Sequence, residues 1–337
     1  MKALRFLIPT TLLLLPGCWL FDIDDNYEFE FDTLITDSPV NLYGLNTDCD
    51  DYNSALPYYY QGNVIYFSSN KSTYGTNFNI IYEFIEITYH PDKEDILNIS
   101  YPVQSDIYHI YEDNLFPLIN TDYNEYGPYT YRGPDAWNYF FYANDEGGDL
   151  DIRFVYNSGY YDAGEQLYGP FDANILNSES DDAYPAINSD GTRIFFCSDR
   201  EDNQFDIYST TINNGTGLYD DLINGGSVII TKETVLSGSR NDKCPSINNN
   251  LLVFTSDREG GFGGYDLYYS LNVDGRWSAP VNFGNKINSE YNEYRPVSFT
   301  FPPMTDDFMI FSSNRPGGKG GYDLYCVRIG DLIDDLY

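Results

Sequence analysis

Basic residues are scarce. Only 18 lysines and arginines stand against 52 aspartates and glutamates, a formal net charge of −34. That balance excludes electrostatic attraction to nucleic acid or to an anionic membrane surface. The acidic excess is spread along the chain and forms no single tail. Histidine is rarer still, with only His90 and His109, and the five cysteines form no Cys-x-x-Cys pair. The tight nitrogen and sulfur spacing of a structural zinc site is therefore missing. No Gly-x-Ser-x-Gly elbow occurs, which removes the usual signature of an α/β-hydrolase nucleophile. No long stretch carries helical periodicity. The N-terminal apolar run, Phe6 to Leu15, is too short to span a bilayer stably.

What the sequence does have is aromatic and repetitive. Of 337 residues, 34 are tyrosine and 22 phenylalanine, side chains that favour a pleated, half-buried surface over a helix. Five segments share a pattern: a proline, a short run, an apolar strand, a polar turn and a third strand. The prolines are Pro57, Pro128, Pro185, Pro245 and Pro296, each with Asn53, Asn124, Asp181, Asn241 or Asn292 four residues earlier. The apolar strands run to Asn70, Asp145, Arg200, Arg258 and Arg315. With Asn70, Asn144, Asp199, Asp257 and Asn314 as the marker, the steps are 74, 55, 58 and 57 residues. A period of that size with several short strands per unit predicts a propeller or solenoid. Strands such as Ile194-Phe195-Phe196 are apolar on both sides, as a sheet packed on both faces requires. The long first step marks an insertion over residues 83–120.

The chain ends predict closure. The last repeat stops after its third strand, and Ser38 to Gly44 matches the fourth-strand sequence Ala279 to Gly284. A strand from the N-terminus pairing with the last sheet would close the ring and remove its exposed edges. The expected fold is all-β: a single five-bladed β-propeller of four-stranded antiparallel blades over residues 38–337. Residues 18–37 read as an acidic and aromatic spacer, and residues 1–17 as a signal peptide.

Two resemblances follow from the residues. Leu15-Pro16-Gly17-Cys18, after the charged start Lys2 and Arg5, resembles a bacterial lipobox. It implies cleavage before Cys18, diacylation of its sulfur, and a place at the outer membrane, on its periplasmic face or at the cell surface. In an exported chain the other four cysteines meet oxidising conditions, and the expected pairs are Cys49 with Cys326 and Cys197 with Cys244. The second resemblance lies in Asn292-Glu293-Tyr294-Arg295-Pro296, Phe311 to Gly318 and Gly321 to Tyr325. These look like the WD40-like β-propeller repeat of TolB-type envelope proteins. That family implies a binding scaffold and no defined chemistry.

The repeated polar turns give the candidate site. Asp199 and Arg200, Asp257 and Arg258, Asn314 and Arg315 should ring one mouth of a propeller together with Asp181, Asn241 and Asn292. They read either as a polar binding face or as structural turns, with Asx side chains bonding nearby backbone and arginines reaching carboxylates of the adjacent blade. The glycine-rich segments Gly260 to Gly264 and Gly317 to Gly321 join strand to strand and open no helix, which argues against a phosphate loop. No cofactor is expected, with Ca²⁺ the one metal that the composition of Asn144 to Asp151 suggests. The expected function is a lipid-anchored, non-enzymatic scaffold for an envelope protein or glycan. The alternative is a glycan-active enzyme with paired carboxylates in the central funnel.

Overall fold

The computed structural model describes residues 29–56, 64–90, 96–102, 109–133, 136–157, 166–212, 217–224, 228–300 and 307–333. Cys18 and the segment before it lie outside the described residues, as does Pro57. The described chain is almost wholly antiparallel β-structure and forms a β-propeller.

Five sheets carry the repeat. Their inner strands are Asp51–Ala55, Glu125–Arg132, Asp182–Ile187, Asp242–Asn248 and Glu293–Thr300. Their middle strands are Val64–Ser69, Asn138–Asn144, Arg193–Ser198, Leu251–Ser256 and Asp307–Ser313. Their third strands are Asn79–Phe84, Asp151–Asn157, Asp206–Thr211, Asp266–Val273 and Asp323–Arg328. Each inner strand packs beside the next in chain order, and the fifth returns to the first. Outer strands come from Tyr168–Asp172, Thr231–Lys232 and Val281–Asn282 in the second, third and fourth sheets. The fifth sheet takes its outer strand from the N-terminus: Val40 and Asn41 pair with Cys326 and Tyr325. That is the closure the sequence predicts.

The middle strands form the core because neighbouring sheets cover both of their faces. All six residues of Val64–Ser69 and of Leu251–Ser256 are buried, and the apolar clusters join residues of successive sheets, as Phe195 joins Leu252 and Phe254.

The insertion is structured. Glu86–His90 and Ile96–Pro102 form a hairpin, and Phe29–Ile35 adds to it as a third strand. Residues 18–37 are therefore not all spacer. The small sheet buries Ile35, Leu97, Ile99 and Tyr101 against Leu42, Ile65, Phe308 and Leu324, so it covers the seam between the first and fifth sheets. Gly44 permits this contact, since a Cβ there would lie 2.2 Å from the Tyr101 ring. A helix, His109–Ile119, then packs Leu115 and Ile119 against the first sheet.

Two sequence alignments shift by a few residues. The first repeat is anchored on Asp50, because Asp51 pairs with Ser69 as Asp182 pairs with Ser198; Asn53 sits further along the strand. In the second repeat Glu125 pairs with Asn144. Asp145 is therefore the turn marker there, and Glu146 holds the place of Arg200, Arg258 and Arg315.

The four described cysteines, Cys49, Cys197, Cys244 and Cys326, are free thiols, which corrects both expected disulfides. Cys326 sits in a third strand inside the core cluster at the seam, while Cys49 lies on the loop leading into the first inner strand. Cys197 receives the backbone N–H of Cys244. It thereby takes the role of Thr255 and Ser312, whose hydroxyls receive the N–H of Arg295 and Asn53.

Candidate active site

One face of the propeller is held by three repeated hydrogen-bond patterns, and separating them from the rest exposes the site. In the first pattern an Asx residue ties adjacent sheets. Asp181 accepts Leu150 N–H at 2.8 Å, Asn241 accepts Phe205 N–H at 3.1 Å, and Asn292 accepts Tyr265 N–H at 2.9 Å. Asp50 and Asn124 do the same with Tyr322 and Phe78. The turn residues Asp199, Asp257 and Asn314 hold these residues in place by accepting their backbone N–H groups at 2.8–3.0 Å.

In the second pattern an amide side chain mimics a strand. Asn46, Asn120, Asn177 and Asn288 each accept the N–H and donate to the C=O of one third-strand residue: Leu324, Ile80, Ile152 and Leu267. Ser237 does so with Ile207. The sequence reading missed this ring, although its signal is present: Asn followed by Ser or Thr, five residues before the inner-strand acid.

In the third pattern an arginine latches its own sheet. Arg200 reaches Asp182 at 2.5 Å and the Leu176 carbonyl at 2.6 Å. Arg258 joins Asp242 to the Leu236 carbonyl, and Arg315 joins Glu293 to the Ile287 carbonyl. The three acids are fully buried, and each guanidinium lies 4.8–5.4 Å from two aromatic rings. Arg200, Arg258 and Arg315 pair within their own sheet, which corrects the expected bridge to an adjacent blade. All nine residues of the expected binding face thus come together on one face, and their polar groups are turned to one another and to the backbone.

The second sheet departs from these patterns. Glu146 stands where the latch arginine should be. Arg153 stands where Tyr208, Tyr268 and Tyr325 stand, as the strand pairings show. Asp172 stands where Lys232, Asn282 and Asn41 donate to the third-strand acids Asp206, Asp266 and Asp323. The cation has moved from the turn to the strand: Arg153 donates to Glu146 at 2.6 Å and to Asp172 at 3.0 Å. Asp151, the third-strand acid of this sheet, consequently meets a carboxylate where its counterparts meet a donor. No side chain or backbone group among the described residues hydrogen-bonds its carboxyl. Burial, then the charges of Asp149, Asp172 and Asp182, raise it to about 6, with Arg153 acting in the opposite direction. It is half-buried, while Asp172 is exposed.

The same departure strands Glu125. It is fully buried without an arginine, bonded to the Thr121 hydroxyl at 2.7 Å and Asn144 at 2.7 Å. Burial raises it to about 7.

At the axis, Asn53, Gly127, Tyr184, Cys244 and Arg295 occupy one position of the five inner strands, all with φ between 49° and 60°. No carboxylate stands among these five residues. Among the described residues no group of histidine, cysteine, aspartate and glutamate side chains is placed to hold a metal ion.

No protein-family model matches the chain, and no curated protein matches it. Solved structures do. The catalytic domain of a GH62 α-L-arabinofuranosidase from Coprinopsis cinerea aligns with 87% of this chain and 96% of its own, at 13% identity and a TM-score of 0.51. An endo-arabinase from Bacteroides thetaiotaomicron covers 88% of this chain and 97% of its own at 12% identity and 0.49. A protein from Agrobacterium tumefaciens assigned as TolB covers 88% and 98% at 14% identity, but with a TM-score of 0.39. The propeller stands and the TolB-type assignment does not. The expectation of a non-enzymatic scaffold is corrected with it. It rested on the TolB-type resemblance, and the motif that carried this resemblance is consumed by structural hydrogen bonds within a fold that the GH62 catalytic domain shares.

Proposed function

We propose that the chain is a glycan-active enzyme, a glycoside hydrolase-like propeller that works from the rim of its second sheet. The observation that supports this is the near full-length likeness to an arabinofuranosidase catalytic domain. Asp151 is the candidate proton donor. A carboxyl titrating near 6 keeps enough of its proton in weakly acidic solution to give one to a departing glycosidic oxygen. Asp172 is the candidate second carboxylate, exposed and oriented by Arg153. Paired carboxylates held in unlike environments are what glycoside hydrolysis requires. The acids latched by Arg200, Arg258 and Arg315 are excluded, because a substrate cannot reach a fully buried carboxylate already bonded to a guanidinium. The net charge favours a neutral polysaccharide over an anionic one.

The test is sugar release from a panel of neutral polysaccharides, arabinans and arabinose-substituted xylans among them. Activity should fall as pH rises above about 6, as the proton donor ionises. Asp151→Asn and Asp172→Asn should each lower the rate by roughly 10²–10⁴-fold with unchanged thermal unfolding. Release that survives both substitutions, or no release from any member of the panel, overturns the proposal.

A further inference from the structure

Arg295 is the one charged side chain at the axial position of the inner strands, and it is only 1% exposed. Its surroundings do not neutralise it. Its Nη2 donates to the Pro128 carbonyl at 3.2 Å, its guanidinium carbon lies 5.2 Å from the centre of the Tyr184 ring, and its Nε–H has no partner. No carboxylate pairs with it among the described residues. The ionisable groups around it are the thiols of Cys197 and Cys244 and the phenol of Tyr184. Burial pushes all three upward, so they stay neutral and supply no negative charge. A guanidinium does not shed its proton to escape burial, and an uncompensated charge in an enclosed site is strongly destabilising.

The contrast with the rest of the molecule is sharp. Arg153, Arg193, Arg240 and Arg328 each face a carboxylate, and the three latch arginines do so against fully buried acids. At the axis, a further buried polar group is unsatisfied. Asn53 is fully buried, donates to the Tyr184 hydroxyl at 3.4 Å, and leaves its Oδ1 unpartnered. Turning that amide over would let it accept from the Tyr184 hydroxyl and offer its NH₂ instead, since oxygen and nitrogen exchange at equal shape. Arg295 Nε–H and Asn53 NH₂ would then be two buried donors on the axis that both lack an acceptor.

We propose that the propeller axis binds one small inorganic anion of halide size, held by Arg295 Nε–H and the amide of Asn53. The enclosure favours a small ion, since Asn53, Tyr184, Cys244 and Arg295 are all buried. The anion supplies the missing charge and so belongs to the stability of the ring, independently of the carboxylates at the rim.

Two measurements test this on the whole protein. The first is thermal unfolding at constant ionic strength with sodium chloride or bromide exchanged for sodium gluconate. The melting temperature should rise with the logarithm of halide concentration once the site begins to fill. The same titration on Arg295→Met, which replaces the charge by an apolar chain of similar length, should be flat. The second is anomalous diffraction from native crystals grown in bromide, which does not depend on the variant folding. A bromide peak within hydrogen-bonding distance of Arg295 Nε supports the proposal. Equal melting in chloride and gluconate, or bromide found only as an adventitious surface ion, overturns it.

Discussion

Glu125 shows how one missing side chain changes the chemistry of a buried acid. Its counterparts Asp182, Asp242 and Glu293 each keep a guanidinium within 2.9 Å, whereas Glu125 has only hydroxyl, amide and backbone donors on one oxygen and none on the other. Its folded value, about 7, lies above the ordinary 4.5. Between those values the folded chain holds a proton that the unfolded chain has released. Stability from this group is therefore complete below about pH 4.5 and is lost as pH rises through 7. Glu125→Gln keeps the accepting oxygen and places an NH₂ where no partner exists. The variant should match the parent at pH 5 and exceed it at pH 8 in urea unfolding. A parent whose stability does not decline relative to the variant over that interval would show that Glu125 titrates normally.

At the scale of the element, the arginine latch is the unit that repeats. The expected outcome of Arg258→Ala is a loss of about 3–5 kcal/mol, because Asp242 is left buried and unpaired. Removing both charges, as Arg258→Met with Asp242→Asn, should recover most of it. Denaturant midpoints of the two variants decide this, and equal losses in single and double variants would show that packing against Phe254 and Tyr268 dominates. Much of the latch was legible in advance. The Ser-Asp-Arg turns, the Asx residues before each proline and the apolar middle strands all lie in short stretches of sequence, so their period survives. What was not legible depends on pairing across strands. That Arg200 meets Asp182 of its own sheet follows from the register of Asp182 on Ser198, not from spacing. The rim of the second sheet was hidden for the same reason. Glu146, Arg153 and Asp172 look like ordinary charged residues until register aligns them with an arginine, a tyrosine and a donor in the other sheets. The sheet within the insertion was hidden because its third strand comes from Phe29–Ile35, some sixty residues earlier.

For the whole molecule, closure rests on two N-terminal segments of unequal size. Val40–Asn41 completes the fifth sheet with two paired residues, and Phe29–Ile35 joins the small sheet that covers the seam. Deleting residues up to 28 should leave unfolding cooperative. Deleting up to 43 exposes the edge of Asp323–Arg328, and an unpaired edge invites association between chains. Size-exclusion chromatography of the two truncations should show a monomer for the shorter deletion and concentration-dependent aggregates for the longer. A monomeric, cooperatively unfolding longer deletion would mean that the ring holds without its closing strand.

The order of these two segments also fixes how the molecule bears a pull. Any tether upstream of residue 29 transmits tension first into Phe29–Ile35 and only afterwards into Val40–Asn41. Phe29–Ile35 must be stripped from Ile96–Pro102 before the closing strand carries load. Phe29–Ile35 is thus a mechanical fuse: it can peel away and re-pair while the ring behind it, and the rim of the second sheet on that ring, keep their shape.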